Sequence, residues 1–195
     1  MNCPDRNNVF ALVLAAGGAS RFGSTKQIEQ VNGVPLARRA MDTAIKVCGD
    51  RTALVVGHEW SAVKNACDLQ TSFIIYNDRY NDGIGTSIAL GARALRHVAD
   101  AIIVMLADQP LITTGHIQAL IDTWSGIDDE IVATSFADSL GPPVLFPRAY
   151  FEDIAALQGD NGGKHLLHDT RFKVSTVRFE AAAVDIDTPN DLANL

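Results

Sequence analysis

"VFALVLAAGGASRFGSTKQ", residues 9–27, decides the fold. Its first six residues are a continuous apolar run, the pattern of a strand buried on both faces. The run stops at Gly17 and Gly18, and Arg21 and Lys26 then flank a further glycine, Gly23. A strand feeding a glycine-rich loop puts that loop at the carboxyl end of a sheet, where open α/β sheets bind ligands. Glycines let the backbone approach a ligand or adopt positive φ. Backbone N–H groups in such a turn cradle an anion, and Arg21 and Lys26 add fixed positive charge. A tight turn without a ligand is the alternative.

Outward from this stretch, strand-like runs alternate with helical patterns. "PLARRAMDTAIKV" (35–47) has helical periodicity, "TALVV" (52–56) reads as the next strand and "SAVKNAC" (61–67) as a short helix. "SFIIY" (72–76) and "AIIVML" (101–106) are further strands. Between them "TSIALGARALRH" (86–97) has apolar residues three and four apart, and Thr86 or Ser87 could cap it. "TTGHIQALIDTW" (113–124) is a helix with threonines placed to cap it. Beyond it, "EIVATSF", "PVLF" and "FKVSTVRF" read as strands, and "YFEDIAAL" and "GKHLLHD" as short helices. "SLGPPV" and "QGDNGGK" read as Gly/Pro turns, and this half has room for an antiparallel insertion. The alternation predicts a three-layer α/β/α domain around a mostly parallel sheet. Nothing marks a linker or repeat, so residues 1–195 are read as one domain.

Composition narrows the function classes. Lys+Arg is 16 against 23 Asp+Glu, a net charge of −7 without a basic stripe, which argues against nucleic acid, with its one charge per about 1.7 Å of duplex axis. A phosphate ligand therefore needs a local positive site or a metal ion. No apolar run approaches the roughly 20 residues of a membrane span. "MNCPDRNN" does not read as a signal peptide, so cytoplasm is the expected compartment. Cys3, Cys48 and Cys67 are too widely spaced for a zinc site and read as reduced thiols.

Two familiar phosphate loops fail here. The dinucleotide fingerprint G-x-G-x-x-G meets Ala19 or Ser20 where its second glycine belongs. The P-loop finds Gly18 and Gly23, but Ser24 takes the lysine position. The stretch instead resembles the signature L-A-A-G-x-S-x-R-x-G-x-x-K of the MobA-like family of NTP transferases. Leu14, Ala15, Ala16, Gly17, Arg21, Gly23 and Lys26 match it, and Ala19 stands where the serine falls. The fold this implies is that of the nucleotide-diphospho-sugar transferases.

Two acidic segments suggest a metal site. "VMLADQP" brings Asp108 to the end of the fourth strand, and "VDIDTPND" supplies Asp185, Asp187 and Asp191. Mg²⁺ is commonly held by one or two carboxylates plus substrate phosphates, and Asp108 with Asp187 makes a plausible pair. Turn or capping roles are the alternative for both. "ADQPLI", "GPPVLF", "GDNGGKHLL" and "DIDTPND" follow the order seen in the molybdenum cofactor cytidylyltransferase (MocA-like) branch, as do Lys26-Gln27 and "YNDRYNDGIGTSIALG". The resemblance implies Mg²⁺ on Asp108 and Asp187, and a nucleotide on the loop over 14–26 with Lys26 near its phosphates. L-A-A-G at 14–17 is the cytidylyl form of the motif, so the resemblance favours CTP.

The resulting expectation is a nucleotidyltransferase that moves CMP from CTP to the terminal phosphate of a molybdopterin-type cofactor. Lys26, Arg21 and Asp108 would be catalytic. Leu14, Ala15, Ala16, Gly17, Gly18, Lys26, Asn77 and Ser87 would bind the nucleotide. A molybdenum hydroxylase apoenzyme is a conceivable recipient. Transfer to another small phosphate, and a cofactor carrier without catalysis, are the alternatives. Asn77 could orient ribose or phosphate, or simply form an Asx-turn. Gly83 and Gly85 precede a helix whose N-terminus could meet an anion. Lys164 and His165 could meet the second substrate or start a solvated helix. His58 reads as a loop residue, His116 and His168 carry no partner signal, and no G-x-S-x-G elbow surrounds Ser20.

Overall fold

A computed structural model describes residues 8–18, 22, 25–68, 73–126, 130–193 and 195. Strands β1 (Val9–Ala15), β4 (Thr52–Val56), β5 (Phe73–Tyr76) and β6 (Ala101–Leu106) are mutually parallel. A hairpin of β7 (Glu130–Phe136) and β8 (Ser139–Pro147) follows, with β8 antiparallel to both β6 and β7. β9 (Lys173–Arg178) closes the edge, parallel to β7. The seven-stranded order is β5-β4-β1-β6-β8-β7-β9. The expected antiparallel insertion is therefore β8.

The alternation of side chains along β1 builds two cores. Ala11, Val13 and Ala15 face one way, onto α1 (Leu36–Cys48), α2 (Trp60–Cys67) and α4 (Thr114–Thr123). Leu12, Leu14 and Ala16 face the other way, onto α3 (Ile84–Leu95) and α5 (Phe151–Ala155). The architecture is thus α/β/α, and the apolar run at 9–14 is apolar because helices cover both its faces. Gly91 of α3 sits so close to β1 that a Cβ there would lie 2.3 Å from a Leu12 methyl carbon.

Two local expectations need correction. α3 begins at Ile84 with Gly83 as its N-cap, so Thr86 and Ser87 lie inside its first turn and do not cap it. "SLGPPV" is not a turn: it runs along β8, and the chain reverses at Ala137 and Asp138. Pairing jumps from Ala133↔Val144 to Thr134↔Gly141, so Pro142 and Pro143 fall in an irregular stretch of the ladder that tolerates their missing N–H groups. The Thr134 hydroxyl donates to the Pro143 carbonyl (2.7 Å) and accepts from His116 Nε2 (2.8 Å). A two-stranded ribbon, β2 (Gln30–Val31) with β3 (Val34–Pro35), turns at Asn32-Gly33, both at positive φ. The Asn-Gly pair is its sequence signal.

Among the described residues, no helix is long and apolar enough to cross a membrane. Cys48 and Cys67 are free and buried, and burial pushes each thiol up to about 11. Cys3 lies outside the described residues.

Glu130 holds the β7–β9 seam. Its buried carboxylate accepts from the hydroxyls of Ser175 and Ser125 and pairs with Lys173 Nζ at 3.3 Å. The Ser175 bond, then the Ser125 bond, keep this carboxyl below its usual range. A carboxyl depressed in the folded state contributes stability that is present above its unfolded pKa and lost as pH falls through the folded value. The expected result is that wild type melts above Glu130→Gln at pH 6, and that the gap narrows as pH falls through about 4.5 and below. Thermal melts across that range check it; a constant gap would sink the assignment.

Candidate active site

The strand order reverses between β1 and β6, since β4 and β5 extend to one side of β1 and β6 lies on the other. At the carboxyl ends of these two strands opens a cleft of about 590 Å³, lined by Leu14, Ala16, Gly17, Gly18, Lys26 and Asp108 among others. This is the crevice at which doubly wound sheets bind ligands.

Three distant segments deliver charge to it. Lys26 opens a single 3-10 turn, Lys26–Ile28. Asp108 follows the end of β6. Asp187 arrives from the C-terminal segment, which docks through a bond from the Ile186 N–H to the Asp108 carbonyl (3.0 Å). The Ile186 side chain is fully buried against Val31 and Leu36. Asp191, in the short helix α6 (Pro189–Ala193), shapes the turn: one carboxylate oxygen accepts from the N–H groups of Asp187 and Thr188 and from the Thr188 hydroxyl. Asp191 is therefore a structural residue.

Lys26 Nζ donates to Asp108 Oδ2 at 2.7 Å and to Asp187 Oδ1 at 3.1 Å. The lysine side chain is 13% exposed, that of Asp108 26% and that of Asp187 57%. Burial opposes the charged ammonium, but the Asp108 carboxylate, with Asp187 behind it, outweighs that and raises its pKa. Asp185 reaches solvent on one side. Burial on the other, then the charge of Asp108 and that of Asp187, push its carboxyl up to about 6 against a bond from Gln109.

The residues fit a divalent cation. Asp108 Oδ1 is buried without a hydrogen-bond partner, so this carboxylate has acceptor capacity that the protein does not use. Among the described residues no three His, Cys, Asp or Glu side chains form a ligand group of their own. Two carboxylates with phosphate and water to complete the shell is the chemistry of Mg²⁺ rather than of zinc.

The described start of the first loop, residues 14–18, is held by three bonds. The Leu14 carbonyl accepts from the Ala107 N–H, and the Ala16 carbonyl from the His58 N–H. The Gly17 carbonyl accepts from Gln27 Nε2 at 2.7 Å. Gly17 and Gly18 are exposed to the cleft, whereas the Ala15 side chain packs in the core on the far face of β1. Arg21, with Ala19, Ser20, Gly23 and Ser24, lies outside the described residues.

Ser87 lines the cleft, and Asn77 stands behind it. Asn77 is 2% exposed. Its amide nitrogen donates to Thr86 Oγ1 and Ser87 Oγ, each at 2.9 Å, and its Oδ1 accepts from the Arg79 N–H in an Asx-turn. Its placement is that of a positioning residue, not of a wall. Lys164 and His165 lie in a 3-10 turn and do not line this cleft: Lys164 borders a smaller apolar cavity with Pro142 and Phe146 that meets the cleft at Ile84, and His165 bonds Asn161. His58 lies beside Tyr80 with ring centroids 5.9 Å apart. His116 is structural, stacked on Phe179 and held neutral-leaning by burial. His168 is exposed.

Sequence reasoning passed over Tyr80, which lines the cleft, and Gln109, whose amide ties the end of β6 to the carbonyls of Ala182 and Pro142. Both lie inside the family-like stretches at 76–91 and 107–112, but residue type and spacing do not single them out there, because their roles depend on where other loops pass.

Gly83 is the tightest point of the wall. Its φ is +101°, and a Cβ there would lie 2.2 Å from the Gly159 carbonyl carbon. Backbone strain of about 1–3 kcal/mol adds to that clash. Gly83→Ala is expected to lower the melting temperature by roughly 10 °C, at about 2–4 °C per kcal/mol for a chain of this size. A melt within about 2 °C of wild type would refute the reading.

A family model described as "MobA-like NTP transferase domain" matches residues 11–175. The chain belongs to that family. Its class of activity is nucleotidyl transfer, and the family assignment agrees with the L-A-A-G loop and the three-layer fold. Purine catabolism protein PucB of Bacillus subtilis is 26% identical over 194 residues, covering 94% of this chain and 93% of that one. The crystal structure of Rv0371c from Mycobacterium tuberculosis superposes with a TM-score of 0.86 at 27% identity, covering 97% of this chain and 98% of the other. A second structure of Rv0371c, a complex with manganese, has a TM-score of 0.80 at 26% identity over 96% of this chain and 97% of the other.

Proposed function

We propose that this nucleotidyltransferase moves CMP from CTP to the terminal phosphate of a molybdopterin-type cofactor and releases pyrophosphate, in the cytoplasm. The observation that carries the reading is the meeting of Lys26, Asp108 and Asp187 at the mouth of a cleft large enough for a nucleotide. The choice of base rests on Leu14-Ala15-Ala16-Gly17, and that of acceptor on the motifs shared with the MocA-like branch. The manganese complex of Rv0371c supports a divalent cation, which we take to be Mg²⁺.

Asp108 and Asp187 would hold that ion, which when bound neutralises charge on the phosphates. The chain's own residues do the rest. Leu14, Ala16, Gly17, Gly18 and Ser87 line the cleft that would take the nucleotide. An acceptor phosphate oxygen attacks the α-phosphorus in line; the bond from that phosphorus to the α–β bridging oxygen breaks, and pyrophosphate leaves with the electron pair. Lys26 and Arg21 stabilise the charge that develops on it. A phosphate nucleophile is already ionised near neutral pH, so no general base is needed. Positioning and charge neutralisation supply the rate. The product would serve the apoenzyme of a molybdenum hydroxylase.

The test is pyrophosphate release from each of the four NTPs with Mg²⁺ and molybdopterin-type cofactor. Release with CTP alone is expected. Release with another NTP would overturn the base, and release only with a different phosphate acceptor would overturn the acceptor. Tight cofactor binding without any release would favour a carrier.

A further inference from the structure

We infer that Lys26 is a latch on the metal site: its ammonium occupies the point where Asp108 and Asp187 converge and must leave it before a divalent cation can be held there. The inference rests on the metal assignment proposed above. One oxygen from each carboxylate lies within 3.1 Å of Nζ. A Mg²⁺ or Mn²⁺ ion held between the two carboxylates would need one oxygen of each at roughly 2.1 Å, and the oxygens that converge across that gap are the two that Nζ holds. An ammonium and a dication cannot share that space, and their charges repel.

The lysine can move where a backbone group could not. Its charge sits on a flexible four-carbon stem with three rotatable donors. The stem lines the same cleft as Gly17, Gly18 and Ser87, so an ammonium that leaves the carboxylates stays on the cleft wall. There a nucleotide's phosphates offer it new acceptors. The cation thus frees the charge that the phosphates then hold, and metal and nucleotide each favour the other's binding. Such coupling is reciprocal by thermodynamic necessity. It explains why a lysine and two metal-binding carboxylates are paired to each other across 82 and 161 residues of chain rather than held apart.

The decisive probe is Mn²⁺ alone on the full chain, without nucleotide. Amine acetylation at Lys26, followed by mass spectrometry, is expected to accelerate at least fivefold when Mn²⁺ saturates the site. Mn²⁺ titration by electron paramagnetic resonance is expected to show Lys26→Met binding the ion about tenfold more tightly than wild type. Bound Mn²⁺ with Lys26 acetylation unchanged or slowed overturns the latch. So does equal affinity in Lys26→Met and wild type. If Lys26→Met fails to fold, the acetylation of wild type decides by itself. Asp108→Asn and Asp187→Asn separate the two readings: Mn²⁺ binding that survives both, or no Mn²⁺ binding to wild type or Lys26→Met, overturns the metal assignment and the latch with it. Binding lost in both variants, with Lys26 acetylation insensitive to Mn²⁺ in wild type, overturns the latch alone.

Discussion

Asp108→Ala is expected to reduce turnover about a thousandfold or more while the protein still folds. Each tenfold loss in rate corresponds to about 1.4 kcal/mol of lost transition-state stabilisation. A metal ion at a phosphoryl centre supplies several kcal/mol of it. Asp108 is the better enclosed of the two carboxylates that converge on Lys26, and its backbone carbonyl also receives the Ile186 N–H. The substitution removes the carboxylate and keeps that carbonyl, so the Asp187 segment stays docked. The side chain's bond is to Lys26, which keeps Asp187 as a partner, so the melt should shift by only a few degrees. Pyrophosphate release under saturating Mg²⁺ and CTP checks the rate, and a thermal melt checks the fold. A rate within tenfold of wild type would remove Asp108 from the metal site.

Lys26→Ala comes second in expected size. Loss of one fixed donor to a developing oxyanion costs about 10²–10³ in turnover, and the nucleotide KM should rise as well. The variant separates a phosphate role from a merely structural one. A lysine that only bridged Asp108 and Asp187 would lower stability, leaving kcat and KM of the folded fraction near wild type. A lysine that meets phosphate lowers kcat in fully folded protein. Lys26→Arg should restore only part of the rate, because a planar guanidinium fork does not reproduce a compact, rotatable ammonium at the phosphates. Steady-state kinetics at saturating and limiting CTP, with a melt of each variant, make the comparison; an unchanged kcat for Lys26→Ala would end the phosphate assignment.

Much of the scaffold was legible because its causes are local. β4 and β6 run as read, Thr52–Val56 and Ala101–Leu106, since a strand covered on both faces must be apolar throughout. Thr113 caps α4 through the His116 N–H, as its place before an apolar pattern implied. Misreadings occurred where a distant partner overrules a local preference. Pro142 and Pro143 look like a turn until Thr134 and the neighbouring strand supply an irregular ladder that accepts them. Thr86 and Ser87 look like caps until Asn77 draws both hydroxyls to itself and Gly83 takes the capping position.

The site divides along the same line. The residue types, a glycine loop with a following lysine and two separate aspartates, are properties of the sequence, because phosphate chemistry restricts which groups can serve. So is the place of the loop, since a buried strand must end at a sheet edge. That Lys26 bridges Asp108 and Asp187, that Ala15 turns into the core, that Asn77 stands behind Ser87 and that Lys164 borders another cavity were decided by the tertiary structure alone. Side-chain direction depends on strand register and on the paths of loops that meet across as many as 161 residues. Local composition carries no record of those meetings; burial of Ile186 and the Ile186–Asp108 backbone bond bring them about.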